Sequence, residues 1–353
     1  MRQEETKMAM SIPFSMTFGI EPDNYIDRVE EQNQIISEFS AEKPANYVYL
    51  ITGVRGSGKT VLLSAVSHHF MEQGDWIVVD PGPKDNILEN VASEIYETGK
   101  VKHLFLESEF SFSFQGLTFS IKGKNPVATV NTFLKKMLDQ IKKKGKRVLI
   151  TIDEVDNSEQ MKLFIQAYQS LIRLQYPVLL LMTGLYENVS RLQENKTLTF
   201  LYRAPKLMMG PLSLSAIAAR YARYLRVDTA LSVELAKLTK GYAYAYQALG
   251  YLFFKGHYQN INADLLADFD HYLSDYVFEK VYSSLSLKEQ KIVKCFQSDD
   301  PIKTEEILRR SGLGNSMWSV YRDRLIKEGV LVAPSFGNLE FALPRFNEFL
   351  QYK

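Results

Sequence analysis

Eight residues constrain this chain more than any others: Gly53-Val54-Arg55-Gly56-Ser57-Gly58-Lys59-Thr60. An apolar, β-branched run, Tyr47 to Thr52, precedes them, and a helical pattern, Val61 to Gln73, follows. Strand, glycine-rich loop and helix in that order make a cradle for a polyphosphate. Glycines at 53, 56 and 58 let the backbone turn tightly and aim its N–H groups inward. The helix start near Lys59 adds a positive dipole end and unbonded donors. Lys59 brings a point charge for the β- and γ-phosphates, and the Thr60 hydroxyl can ligate magnesium. The octet therefore implies binding of a nucleoside triphosphate.

A second stretch completes that chemistry. Arg147 to Glu154 reads as a buried strand whose end carries two adjacent carboxylates, Asp153 and Glu154. Burying charge without a partner is costly, so acids at a strand end are expected to meet a metal or water. In a parallel α/β sheet the strand C-termini share one edge with the phosphate-binding loop. Asp153 can then hold Mg²⁺ while Glu154 orients the attacking water. A third buried strand, Pro177 to Gly184, ends in Thr183. That hydroxyl either bonds the γ-phosphate or attacking water, or Thr183 closes the strand as a β-branched residue.

Between these landmarks the pattern alternates. Helices are expected over Arg28–Phe39, Asn86–Thr98, Val127–Lys144 and Ser158–Leu174, and strands over Trp76–Val79 and Lys206–Met209. Strands alternating with helices dictate an α/β fold with a mainly parallel sheet between helices. Near 103–122, Phe110, Phe112 and Phe114 alternate with serines, and Leu117, Phe119 and Ile121 alternate beyond a Gln115-Gly116 turn. That is a β-hairpin with one apolar face, which either packs on its own domain or serves a partner. Residues 1–27 form an irregular lead-in, with Phe14, Phe18, Ile20 and Tyr25 available to pin it down.

Beyond residue 211 the pattern turns all helical, over Leu214–Leu225, Ser232–Lys240, Tyr244–Lys255 and Ala263–Ser283. The last segment has helices over Lys288–Gln297, Thr304–Ser311 and Ser316–Glu328, then strands around Val330–Val332 and Leu339–Leu343. Helix, Gly312-Leu313-Gly314 turn, helix and hairpin spell a winged helix-turn-helix. The organisation read from sequence is a nucleotide-binding domain over 1–211, a helical lid over 212–283 and a winged helix over 284–353.

Composition narrows the function classes. A net charge of +1 over 353 residues argues against a wholesale polyanion binder. Residues 285–353 carry eleven cations and nine acids, a thin electrostatic footprint for DNA. The single cysteine, Cys295, forbids an internal disulfide and suits a reducing compartment. Without a leader-like stretch or a run long enough for a membrane span, a cytoplasmic, soluble protein is expected.

The quoted stretches resemble the AAA+ ATPases, in the branch close to archaeal origin-recognition initiators and STAND signalling ATPases. The likeness runs through FSMTFGIEPDNYIDR, GVRGSGKT (Walker A), VLITIDE (Walker B), the LMTG sensor strand, YRAPKLMMGPLS, the lid GYAYAYQALGYLF and the terminal FALPRF. It implies a magnesium-dependent ATPase that binds ATP and ADP. Gly53, Val54, Arg55, Gly56, Ser57, Gly58, Lys59, Thr60 and Val61 would hold nucleotide, with Thr60 and Asp153 on magnesium. Glu154 would be the catalytic base, Thr183 sensor 1, and Arg203 an arginine finger reaching a neighbouring subunit. Ile26 and Arg28 would lie against the adenine, where relatives often have Gly-Arg-Glu. The lid has no sensor 2 arginine and offers Tyr242, Tyr244 and Gln247 instead, which implies slow hydrolysis and tight ADP retention. The resemblance also implies a nucleotide-controlled switch, with duplex DNA on residues 303–343 or, alternatively, a protein partner, and possible homo-oligomers.

Overall fold

The computed structural model describes residues 12–17, 24–83, 86–98, 111–114, 117–120 and 130–353. The chain divides into two compact units. One comprises Arg28–Gly53 and Lys59–Met209, and the other Met1–Asp27, Val54–Gly58 and Gly210–Lys353.

The first unit is built on five parallel strands: β1 (Val48–Thr52), β2 (Trp76–Val79), β5 (Arg147–Ile152), β6 (Val178–Gly184) and β7 (Lys206–Met208). Their spatial order is β2-β5-β6-β1-β7. Period-two alternation decides which helices cover which face. Val48, Leu50, Val148, Ile150, Val178 and Leu180 face α3 (Ile87–Glu97), α4 (Val130–Lys143), α5 (Glu159–Arg173) and α6 (Tyr186–Gln193). Tyr49, Ile51, Leu149, Leu179 and Leu181 face α1 (Val29–Ser40) and α2 (Lys59–Met71). Both faces of β1, β5 and β6 are covered, so those strands read as apolar runs, as strands of parallel sheets do, whereas β7 leaves Lys206 and Met208 exposed. The expected hairpin is present as β3 (Ser111–Phe114) antiparallel to β4 (Leu117–Ser120), with Phe112 opposite Phe119. Phe110, Ile121 and the Gln115-Gly116 turn lie outside the described residues, as do Phe18 and Ile20.

The second unit holds α7 (Leu214–Leu225), α8 (Thr229–Leu238), α9 (Ala243–Lys255), α10 (Ala263–Leu273), α11 (Glu279–Ser284), α12 (Leu287–Val293), α13 (Thr304–Ser311), α14 (Asn315–Lys327) and α15 (Phe346–Leu350). A small antiparallel sheet, order β8-β10-β9, comprises β8 (Ile302–Lys303), β9 (Leu331–Val332) and β10 (Asn338–Phe341). The helix expected over Ala263–Ser283 is interrupted by a π turn at Ser274–Phe278. α6, the 3-10 turn Thr199–Arg203, β8 and α15 have no counterpart in the sequence reading; they are one to two turns or less, too short for periodicity to register.

One apolar cluster runs from α7 through α15. Polar contacts reinforce it: Arg345 pairs with Asp270 through both carboxylate oxygens, one at 2.6 Å. Asp299 accepts the Arg345 and Asn347 N–H groups at 2.7 and 3.2 Å, and Lys240 donates to the Phe341 carbonyl at 3.1 Å. The lead-in is pinned here by Phe14, only 2% exposed, with Tyr221 and Tyr246 at ring-centroid distances of 5.8 and 5.9 Å. Gly250 makes room for that ring, since a Cβ there would overlap Phe14. Gly250→Ala is therefore expected to cost about 1–3 kcal/mol of stability, measured as a lower denaturation midpoint.

Candidate functional site: a phosphate loop and an acid pair

Parallel register decides what meets at the sheet edge. Ile51 lies opposite Thr183 and Ile152 opposite Met182, so the first residue past β5 comes beside the end of β6. That residue is Asp153. Its Oδ2 accepts the Thr60 hydroxyl at 2.7 Å, and its Oδ1 accepts the Thr183 hydroxyl and the Glu154 N–H, the latter at 3.1 Å. Thr183 in turn accepts the Glu154 N–H at 3.2 Å. The acid two strands away from β1 is thus tied to the first turn of α2 across 93 residues of chain.

Glu154 is exposed and its backbone is left-handed, φ 54°. A non-glycine residue held there costs about 1 kcal/mol or more and persists only where surrounding bonds impose it. Here the imposing bonds are those from its N–H to Asp153 and Thr183. Thr183, fully buried at the end of β6, spends its hydroxyl inside the acid pair. Thr183→Val keeps the strand shape and deletes that hydroxyl. For a site that hydrolyses a nucleoside triphosphate, as the sequence implies, turnover is expected to fall about tenfold with nucleotide affinity retained, read by steady-state hydrolysis and titration calorimetry.

Lys59 is the first residue of α2 and only 8% exposed; its ammonium donates to the Gly53 carbonyl at 3.1 Å. The intervening residues Val54–Gly58 form a turn closed by the Ser57 N–H on the Val54 carbonyl at 3.2 Å. Gly56 and Gly58 have φ of +75° and +91°, conformations that glycine alone adopts without strain. Neither the Gly56 nor the Gly58 N–H has a partner among the described residues. Val61 follows in α2, half-buried.

The remaining residues singled out by the sequence lie as follows. Ile26 is buried in the apolar cluster of the second unit. Arg28, 7% exposed, pairs with Glu31 at 3.5 Å. Arg203 ends the 3-10 turn, exposed and with no bonded partner among the described residues, next to Tyr202, which is 76% exposed. Gln247 donates to Asn24 at 2.9 Å and accepts the Ser15 N–H at 3.1 Å, so its amide holds the lead-in. Tyr242 donates its hydroxyl to the Arg55 carbonyl, and the Tyr244 N–H donates to the Gly56 carbonyl at 3.1 Å.

Asp80 was absent from the sequence candidates, hidden in a Pro-Gly turn. It follows β2 directly, accepts the Thr151 hydroxyl at 2.9 Å and gives its own N–H to Glu94 at 2.7 Å. Desolvation raises its pKa above the usual carboxylate value; Thr151 opposes the rise and the charge of Asp153 adds to it. An acid one residue past a strand that neighbours the Asp-Glu strand is the signal that could have found it.

This geometry has relatives. Residues 25–180 match the model of an ATPase domain predominantly from Archaea. The matched segment contains the loop, the acid pair and the first three residues of β6. Residues 275–350 match a second model, described as a domain of unknown function (DUF8462). Among solved structures, the Walker-type ATPase PABY2304 of Pyrococcus abyssi aligns with a TM-score of 0.67 at 13% identity, over 93% of this chain and 96% of that one. The ORC2 protein of Aeropyrum pernix, solved with ADPNP and ADP, aligns with a TM-score of 0.55 at 15% identity, over 96% and 98%. At such identities the likeness is one of fold, that of the P-loop NTPases. No curated protein is significantly similar in sequence. Among the described residues, no helix is long and apolar enough to cross a membrane.

Proposed function

We propose that this chain is an ATP-binding, magnesium-dependent ATPase that works as a nucleotide-controlled switch. The observation that carries the reading is the bond between Thr60 and Asp153, which joins the residue after the loop lysine to the acid at the sheet edge. Loop glycines with unpartnered N–H groups bind the phosphates, and Lys59 leaves the Gly53 carbonyl to neutralise the β- and γ-oxygens. Thr60 and Asp153 offer hard oxygen donors, which fits magnesium; that ion takes one or two protein oxygens and completes its shell with water and phosphate. When bound it supplies charge neutralisation on the triphosphate. Asp153 is oriented by the Thr183 hydroxyl and the Glu154 N–H. Glu154, next in the chain and exposed, accepts a proton from the attacking water.

Arg203 is assigned to a neighbouring copy's γ-phosphate, on its exposure and its lack of bonded partners among the described residues. An inactive Arg203→Ala protein regaining activity when mixed with Lys59→Ala subunits supports this; full activity of Arg203→Ala as a monomer removes it.

The elements from α12 to β10 act as the output module, a winged helix. Duplex DNA through residues 303–343 is one target. A protein partner is the second, and one observation favours it: the arginines of α14 are engaged by acids. Arg322 pairs with Asp323 at 2.8 Å, and Arg324 pairs with Glu328 and Glu289 at 2.9 and 3.1 Å. The outward residues around them are Met317, Val320 and, on the hairpin tip, Phe336. Calorimetry with MgATP and a sizing column with and without duplex DNA test both levels. No heat with MgATP sinks the ATPase reading. DNA binding lost steeply between low and moderate salt selects DNA, and no binding even at low salt selects protein.

A further inference from the structure

We infer that Tyr242 is a positioning residue for the phosphate loop, aiming the Gly56 N–H at the bound phosphates through the Arg55 carbonyl. The inference rests on the nucleotide reading above and assigns Tyr242 a different task from touching the nucleoside.

The geometry is that of a single peptide plane. In a trans peptide, the carbonyl of one residue and the N–H of the next point in opposite directions. No cis peptide occurs among the described residues. The Tyr242 hydroxyl donates to the Arg55 carbonyl, so the Gly56 N–H in the same plane points away from the tyrosine. The next plane is held likewise: the Tyr244 N–H donates to the Gly56 carbonyl at 3.1 Å, which turns the Ser57 N–H the other way, onto the Val54 carbonyl at 3.2 Å. Two consecutive planes are therefore clamped from α9 and its start, and the Gly56 N–H they orient has no partner among the described residues.

Three further observations show that the clamp is tight. Tyr242 is 5% exposed, and burial pushes its phenol far above the ordinary value, so the hydroxyl acts only as a neutral group. A Cβ on Gly56 would overlap the Tyr242 hydroxyl and come within 3.0 Å of the Tyr244 Cβ. Val54, at the start of the loop, packs against Gly329 after α14, where a Cβ would sit 3.3 Å from the Val54 Cβ. Loop conformation and the helical unit are thus in contact at three points without any cation. The stretch Gly241–Phe253 carries no arginine, and the tyrosine acts on the cradle itself. An anion-binding donor that is already aimed costs no reorganisation when the ligand arrives.

Tyr242→Phe keeps the ring and removes only the donor. With MgADP and separately with inorganic pyrophosphate as titrants, calorimetry is expected to show both affinities about tenfold weaker, the worth of one aimed hydrogen bond to a charged group. Tyr221→Phe is the control. It deletes a comparable buried bond, from the Tyr221 hydroxyl to the Tyr246 carbonyl at 2.8 Å, at a site away from the loop. It is expected to lower the melting temperature about as much while leaving both affinities unchanged. Unchanged affinities in Tyr242→Phe overturn the inference, as does an equal loss in Tyr221→Phe. Weaker ADP binding with pyrophosphate unaffected overturns it too, in favour of contact with the nucleoside. Wild-type protein that binds neither titrant defeats the nucleotide reading itself, a result distinct from the other three.

Discussion

Lys59→Ala is expected to lower affinity for MgATP and MgADP by a hundredfold or more, about 3 kcal/mol, read by calorimetry. In the proposed function the ammonium bonds two phosphates at once, and nothing else on the first turn of α2 carries positive charge. Stability without nucleotide should hardly move. The folded protein loses the bond from Lys59 to the Gly53 carbonyl, and it also sheds the cost of keeping an ammonium 8% exposed. A variant that folds with the wild-type melting temperature and still binds ATP tightly would remove the phosphate loop from the mechanism. This outcome separates a working cradle from a glycine turn that only joins a strand to a helix.

For Glu154→Gln the expected pattern is different: nucleotide stays bound, and the rate of hydrolysis falls by about a hundredfold to ten-thousandfold. The amide is nearly isosteric and leaves the N–H bonds to Asp153 and Thr183 in place, so only proton acceptance is lost. Wild-type hydrolysis in this variant would mean that the base has been assigned wrongly. A companion substitution checks the backbone. At φ 54°, Glu154→Gly relieves a left-handed glutamate and is expected to raise stability by about 1 kcal/mol while abolishing turnover. Stability gained and activity lost at one position is the mark of strain kept for chemistry. Equal or lower stability of the glycine variant would say that the conformation is unstrained.

Local sequence carried much of this architecture. The strands β1, β5 and β6 were legible because they are covered on both faces, and an unbroken apolar run such as Val178 to Met182 admits few other readings. Helices with one apolar stripe were legible by period, and Ser158 even marks the start of α5 by accepting the Met161 N–H at 3.2 Å. The elements that escaped are those of one or two turns, such as α15, where Phe346 and Phe349 are held by packing against Phe278 rather than by any repeat.

What the chain order of residues determined alone is the chemistry: a lysine and threonine after a glycine loop, and two acids after a buried strand. Which of these groups meet was decided by strand order and register. Placing β5 and β6 next to each other, and β6 next to β1, brings Asp153 onto both Thr60 and Thr183, residues 93 and 30 positions away. The same holds for Asp80, invisible as a turn residue until β2 paired with β5. Tyr242 is the sharpest case. Sequence put it near a nucleotide, and only the fold, by bringing residues 187 apart together, set its hydroxyl on a loop carbonyl. Periodicity is a property of neighbours along the chain, whereas a hydrogen bond between distant residues exists only once the chain has closed on itself.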